Sequence, residues 1–510
     1  MPSPIRPVVA AALFVLPCLL GATAGRAEAG ATFGPELVID PLGSNLRDLH
    51  VADLDGDGDL DLVACRLGSP PLVRYENLGG GTFGPPQALP NPPTSALRAR
   101  SLDYDQDGDL DLIVAADWYT PSLGSDYRIA RYRNVGNGTF QGDVAPSVGG
   151  DATGLSIADV EGDGDLDLFY SSDSPKISVE LGAPGAFGGF SGGFLATDQA
   201  IGVRDLIPAD LDGDGDADLV AASYASDEVA WFENTAGTGA FGPKRVLNAQ
   251  ADGALAVDVA DVDGDGDLDV LSASSLGWDK EVHWYENLGG GAFGPTRLVA
   301  TENHPGIDVR TFDPDLDGDL DVLVADGTGA SWYENDGAGG FGSRRTVGAP
   351  TSLGQVAEPA DLDGDGFPDV VVAHAGGVSW FRQVPPPPWH DLGSGLAGGG
   401  GVPLLAGSGS LQVGSPGAVT LTSAASLSPA LLLHSFTSTP TPFACGTLVP
   451  VPVHWSLPFV TDAAGGVALA WTAWPPELNG QSFHLQIAVS DPAAVCGVAL
   501  SNALRADLPP

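Results

Sequence analysis

The nonapeptide Asp53-Leu54-Asp55-Gly56-Asp57-Gly58-Asp59-Leu60-Asp61 has six further versions, beginning at Asp103, Asp159, Asp210, Asp261, Asp313 and Asp361. Carboxylates at alternate positions repel one another and destabilise a compact chain unless a cation lies among them. Hard oxygen donors with no Cys or His beside them select a hard cation, calcium ahead of magnesium or zinc. With Asp53 as position 1, side chains at positions 1, 3 and 5 converge on one ion. Glycine at position 6 permits the turn, position 7 offers a backbone carbonyl, and position 9 supplies the last carboxylate.

Up to seven Ca2+ sites are therefore expected. The first uses Asp53, Asp55, Asp57, Asp59 and Asp61; the second Asp103, Asp105, Asp107, Asp109 and Asp111. The third uses Asp159, Glu161, Asp163, Asp165 and Asp167, with glutamate at position 3. Asp210, Asp212, Asp214, Asp216 and Asp218 form the fourth, and Asp261, Asp263, Asp265, Asp267 and Asp269 the fifth. Asp313, Asp315, Asp317, Asp319 and Asp321 form the sixth. The seventh departs most: Asp361, Asp363, Asp365 and Asp369 flank Phe367-Pro368, so Phe367 stands at position 7. Gln106 and Leu316 replace glycine at position 4, which is not a ligand position.

An EF-hand would need a bidentate glutamate at position 12. Here that position is Ala64, Val114, Tyr170, Ala221, Ser272, Val324 and Val372 in turn. Runs such as Leu112-Ile113-Val114 and Val370-Val371-Val372 are strand-like, so each loop joins two strands.

The loop starts lie 50, 56, 51, 51, 52 and 48 residues apart. That period suits one four-stranded propeller blade. Each repeat adds an aromatic strand, such as Trp284-Tyr285-Glu286-Asn287, then a Gly-rich turn and a Phe-Gly pair expected to open the fourth strand. The last repeat has no Phe-Gly strand after Trp380-Phe381, but Phe33-Gly34 stands at the other end of the chain, twenty positions before Asp53. Residues 31 to 40 are thus expected to complete the last blade and remove the open edge. The fold class expected is all-β: a seven-bladed β-propeller over residues 30–384, closed by an N-terminal strand.

These Asp-x-Asp-x-Asp-Gly-x-x-Asp loops and Phe-Gly turns resemble the FG-GAP or VCBS repeat proteins, which include the integrin α-subunit head. The resemblance covers roughly residues 31 to 384. It implies a calcium-binding propeller and says little about activity. Unlike integrins, this chain carries the loop in every repeat and shows no sign of the long integrin leg.

Arg6, the apolar stretch Val8 to Leu20 and Ala27-Glu28-Ala29 read as a secretory signal over residues 1–29. A secreted or cell-surface protein is expected, with no membrane span once the signal is removed. The formal charge of −45 would fall to about −31 with seven calcium ions. That acidity argues against nucleic acid and anionic membranes, and leaves extracellular proteins and polysaccharides as partners of a monomer.

Pro385 to Pro388 begin a stiff linker, 385–389. Beyond it, alternating segments such as Phe483-His484-Leu485-Gln486-Ile487 predict a small β-sandwich over 390–510. Cys445 and Cys496 are expected to form a disulfide there, while Cys65 reads as a buried apolar residue.

The eight histidines match no zinc pattern, and no nucleophile elbow or phosphate-binding loop occurs. A non-catalytic binding or adhesion scaffold is the expected function, with a lectin or a polysaccharide lyase as the alternatives. The ligand face is expected opposite the acidic loops, at Trp118, Tyr119 and Tyr127 in the second repeat, Trp278 in the fifth, and His304 before the sixth loop.

Overall fold

A computed structural model of the chain describes residues 31–507, except 42–44, 119–126, 148–152, 172–174, 183–192, 236, 277–279, 303–305, 349–353, 385–388, 394, 399–400, 409–410, 412–414, 437–440, 444–445, 451, 472–481 and 495–496. The expected signal at 1–29, the linker prolines 385–388, and Cys445 and Cys496 lie outside the described residues. Every regular element among the described residues is a β-strand. The chain divides into one unit at Ala29–Val384 and another built on Pro385–Pro510.

The first unit contains seven antiparallel sheets of four strands each, consistent with a β-propeller. The first sheet runs Leu46–Ala52, Asp61–Arg66, Leu72–Tyr75 and Gln87–Ala88, in sequence order. The next five begin with Ser95–Leu102, Leu155–Ala158, Val203–Ala209, Ala254–Ala260 and Gly306–Phe312. The seventh takes Gly354–Ala360, Asp369–His374 and Gly377–Phe381 from the end of the unit. Its fourth strand is Leu37–Asp40, with Leu37 opposite Trp380 and Val38 opposite Ser379. Thr32–Phe33 adds a second pairing with Gln383–Val384.

First strands of successive sheets pack side by side, and Gly354–Ala360 packs beside Leu46–Ala52. Ion pairs line these strands: Arg98 with Asp205 at 2.9 Å, Arg100 with Asp48 at 3.0 Å, and Arg310 with Asp308 at 2.7 Å and Glu358 at 3.0 Å. Second strands such as Asp218–Ser223 and Asp269–Ser274 are buried along their whole length. Their unbroken apolar runs fit strands covered on both faces. The core lies between sheets: Val220 and Trp231 of the fourth pack with Val257, Val270 and Tyr285 of the fifth.

The Gly-rich turns have a packing reason as well as a conformational one. Gly339 holds φ +70°, and a Cβ there would meet the Trp284 ring at 2.0 Å. Such turns seat a long side chain of the neighbouring sheet, as Gly291 does for Trp231, Gly81 for Trp380 and Gly138 for Arg74. The Phe-Gly pair sits just before the fourth strand rather than opening it. Phe293 forms a single bridge with Asn287, and the strand proper is Arg297–Glu302.

In the second unit, Leu404–Ser408, Gly417–Thr422 and Val467–Trp471 form one sheet. Pro429–Ser435 and Ser482–Ser490 are central to a larger one. Leu405, Val419 and Leu421 of the first share a core with Leu432, Phe483, Leu485 and Ile487 of the second. Cys65, in the first unit, is buried and free.

Candidate metal centres

Each acidic loop joins the first and second strands of its sheet, and its backbone folds around its own carboxylates. The position-1 aspartate accepts a hydrogen bond from the position-6 glycine amide in all seven loops, at 2.8–3.0 Å. The position-5 aspartate accepts from the position-7 amide at 2.9–3.1 Å. In the seventh loop that amide belongs to Phe367, so the frame survives the side-chain change. Gln106 and Leu316 adopt φ 58° and 56°, the left-handed conformation that glycine holds at position 4 elsewhere. The side chain there is unimportant to an ion, but the conformation is demanding.

Position 9 anchors the loop to the third strand. Its Oδ1 accepts an amide hydrogen at 2.7–2.8 Å from Asn77, Asn134, Gly182, Asn234, Asn287, Asn335 and Gln383 in turn. Oδ2 accepts from the position-2 amide in six loops, at 2.7–3.3 Å. Burial drives these carboxyls up in pKa: Asp218 and Asp269 to about 6, Asp111 and Asp369 to about 7, Asp321 to about 8.

Carboxylate oxygens of Asp53, Asp55 and Asp57 lie within 4.8 Å of one another, as do those of Asp103, Asp105 and Asp111, of Asp210, Asp212 and Asp218, of Asp261, Asp263 and Asp265, and of Asp313, Asp315 and Asp317. Within the fifth of these loops Asp261 Oδ1 and Asp263 Oδ1 are buried without a hydrogen-bond donor. Buried anionic oxygens left without donors fit a hard divalent cation, which would satisfy several at once.

The asparagines at or just beyond the ends of the third strands clip one loop to the next. Asn287 Nδ2 donates to Leu268 O of its own loop at 3.0 Å and to Leu211 O of the preceding loop at 2.7 Å. Asn134, Asn234 and Asn335 repeat the pattern. Asn77 reaches Leu362 O of the seventh loop at 2.8 Å. Gly182, at the equivalent place in the third sheet, has no side chain to do this. The asparagine that recurs before the Gly-rich turn, at Asn77, Asn134, Asn234, Asn287 and Asn335, is the signal in the sequence.

Three loops also hold an arginine. Arg74 Nη2 lies 2.5 Å from Asp55 Oδ2 and 2.6 Å from Asp61 Oδ2, with its side chain 3% exposed. Arg133 pairs with Asp105 at 2.5 Å and Asp107 at 3.2 Å. Arg382 pairs with Asp363 and Asp365.

Of the aromatics expected to form a ligand face, only some fall among the described residues. Trp118 is half-buried and packs on the core shared by the first two sheets. Tyr127 opens the strand Tyr127–Asn134. Tyr119, Trp278 and His304 fall outside the described residues. No helix among the described residues is long and apolar enough to cross a membrane.

The FG-GAP-like repeat matches the chain at residues 53–114, 103–170, 210–272 and 313–372, each match running from one loop into the second strand of the next sheet. No curated protein matches the chain. Similar solved structures include BBS1N in complex with ARL6DN, soaked with lead, at 14% identity over 70% of this chain and 97% of that one, TM-score 0.48. The mercury-soaked form gives 14% identity over the same shares and a TM-score of 0.47. An Agrocybe aegerita lectin, described as recognising non-reducing terminal N-acetylglucosamine, is 20% identical over 67% of this chain and 80% of that one, TM-score 0.32.

Proposed function

This chain belongs to the FG-GAP-like repeat family, and from that premise we propose that it is an exported, calcium-stabilised, seven-bladed β-propeller that serves as a non-catalytic binding scaffold. The observation that carries the reading is the sevenfold recurrence of one loop frame, with buried carboxylate oxygens lacking donors, each in a four-stranded sheet. Support for a closed ring comes from the pairing of Leu37–Asp40 with Gly377–Phe381, and from the clip between Asn77 and Leu362.

Up to seven calcium ions neutralise the loops and tie the first and second strands of each blade. Each stabilises the fold by about 1–2 kcal/mol when calcium is ten to thirty times its dissociation constant. The C-terminal unit is a β-sandwich. The partner is an extracellular protein or polysaccharide, met by a monomer on the face away from the loops. A net charge of −45 disfavours nucleic acid and anionic membranes.

The test is a screen of immobilised glycans and extracellular proteins against the full chain, in calcium and in EDTA, followed by product analysis. Calcium-dependent retention without turnover supports the scaffold. Cleavage of a retained polysaccharide would replace it with an enzyme, and equal retention in EDTA would remove calcium from the reading.

A further inference from the structure

We infer that the first loop carries its own cation, the Arg74 guanidinium, and does not take calcium; the inference rests on the calcium reading proposed above and lowers the count from seven ions to at most six. The guanidinium lies between positions 3 and 9 of the loop. Nη2 is 2.5 Å from Asp55 Oδ2 and 2.6 Å from Asp61 Oδ2, and Nε is 3.1 Å from Asp61 Oδ2. Those carboxylates are two of the four that an ion would need. A fourth bond, from Nη1 to Gly138 O at 3.3 Å, ties the same side chain to the turn of the second sheet.

Burial separates this arginine from the other two. Arg74 is 3% exposed, Arg133 31% and Arg382 49%. Arg133 and Arg382 lie nearer the surface, where a side chain displaced by an ion would meet water. Arg74 has no such exit, and displacing it would leave a buried guanidinium without its carboxylates, a costly state. Calcium entry would also place a divalent ion beside that buried positive charge.

The sister sheets supply the internal control. The position of Arg74, two residues along the ladder from the position-9 aspartate, is Trp231 in the fourth sheet and Trp284 in the fifth. Among the described residues no arginine pairs with the carboxylates of those two loops. Gly138 receives the Arg74 head group as Gly291 receives the Trp231 ring. An indole therefore has a seat at position 74.

Bound calcium is counted by native mass spectrometry and by metal analysis of the dialysed full chain at millimolar calcium. The wild type is expected to hold at most six ions, and Arg74→Trp one more than the wild type. Arg74→Gln, smaller and neutral, serves as the second variant if the tryptophan does not fold, with the same gain of one. Seven ions on the wild type, or an unchanged count in a folded variant, overturns the inference. A wild type holding no calcium at all instead sinks the calcium reading beneath it.

Discussion

Pro314 deprives Asp321 of a hydrogen bond that its counterparts receive. In six loops the position-2 amide donates to the position-9 carboxylate; in the sixth, position 2 is proline, and Asp321 Oδ2 is buried with no donor. Asp321 accordingly has its pKa raised to about 8, above the values of about 6 to 7 at Asp111, Asp218, Asp269 and Asp369. Burial raises it, and only the Asn335 amide opposes.

Stability in EDTA should therefore fall as pH rises. A carboxyl at about 3.8 in the unfolded chain and about 8 in the fold takes up a proton on folding, so its contribution is complete below pH 4 and lost through pH 8. Asp111 and Asp369 act in the same sense up to about pH 7. Urea melts of the chelated protein at pH 5 and pH 8 check this; greater stability at pH 8 would refute it. Pro314→Ala restores the donor and should flatten the slope between pH 7 and 8.

Calcium should reverse that trend, because an ion binds the ionised carboxylates. Differential scanning calorimetry at pH 7.5 is expected to give a melting temperature many degrees lower in EDTA than in millimolar calcium. An unchanged melt would mean that the loops hold no ion of consequence.

Asn287→Ala removes the clip between the fourth and fifth loops and orphans two carbonyls, Leu211 O and Leu268 O. A loss of about 1–3 kcal/mol for each carbonyl that stays dry is expected. Denaturant titration measures it, and a change below about 0.5 kcal/mol would show the clip to be idle.

Gly339→Ala places a methyl group 2.0 Å from the Trp284 ring at φ +70°. Both the clash and the left-handed backbone oppose it, so a cost of about 1–3 kcal/mol is expected. Gly290→Ala, also left-handed at φ +64° but with open space around its Cβ, isolates the backbone share. Equal losses in the two variants would dismiss the clash.

Much of this was legible from period and spacing. The loop repeat marks the first and second strands, and Phe33 at twenty residues before Asp53 anticipates the pairing of Leu37 with Trp380. The Phe-Gly pair was placed one step early, because a single bridge such as Asn287 with Phe293 looks like a strand start in sequence. In the sequence Arg74 is only the neighbour of Tyr75. Its approach to Asp55 and Asp61 depends on the third strand lying beside the second, a distance in space that no local pattern encodes. Trp118 likewise reads as a loop aromatic until packing places it against the core.

The pairing of Leu37–Asp40 with Gly377–Phe381 has a consequence for how the molecule comes into being. More than three hundred residues must be made before the first strand meets its partner, and closing so long a loop is slow. Until then one sheet edge stays open at each end of the growing array. A chain that ends before Gly377 would leave its own Leu37–Asp40 strand unpaired, and one trimmed beyond Asp40 would offer the bare edge of Gly377–Phe381 to an intact neighbour's N-terminal strand. Swapped dimers and chains of dimers are the misassemblies this architecture invites.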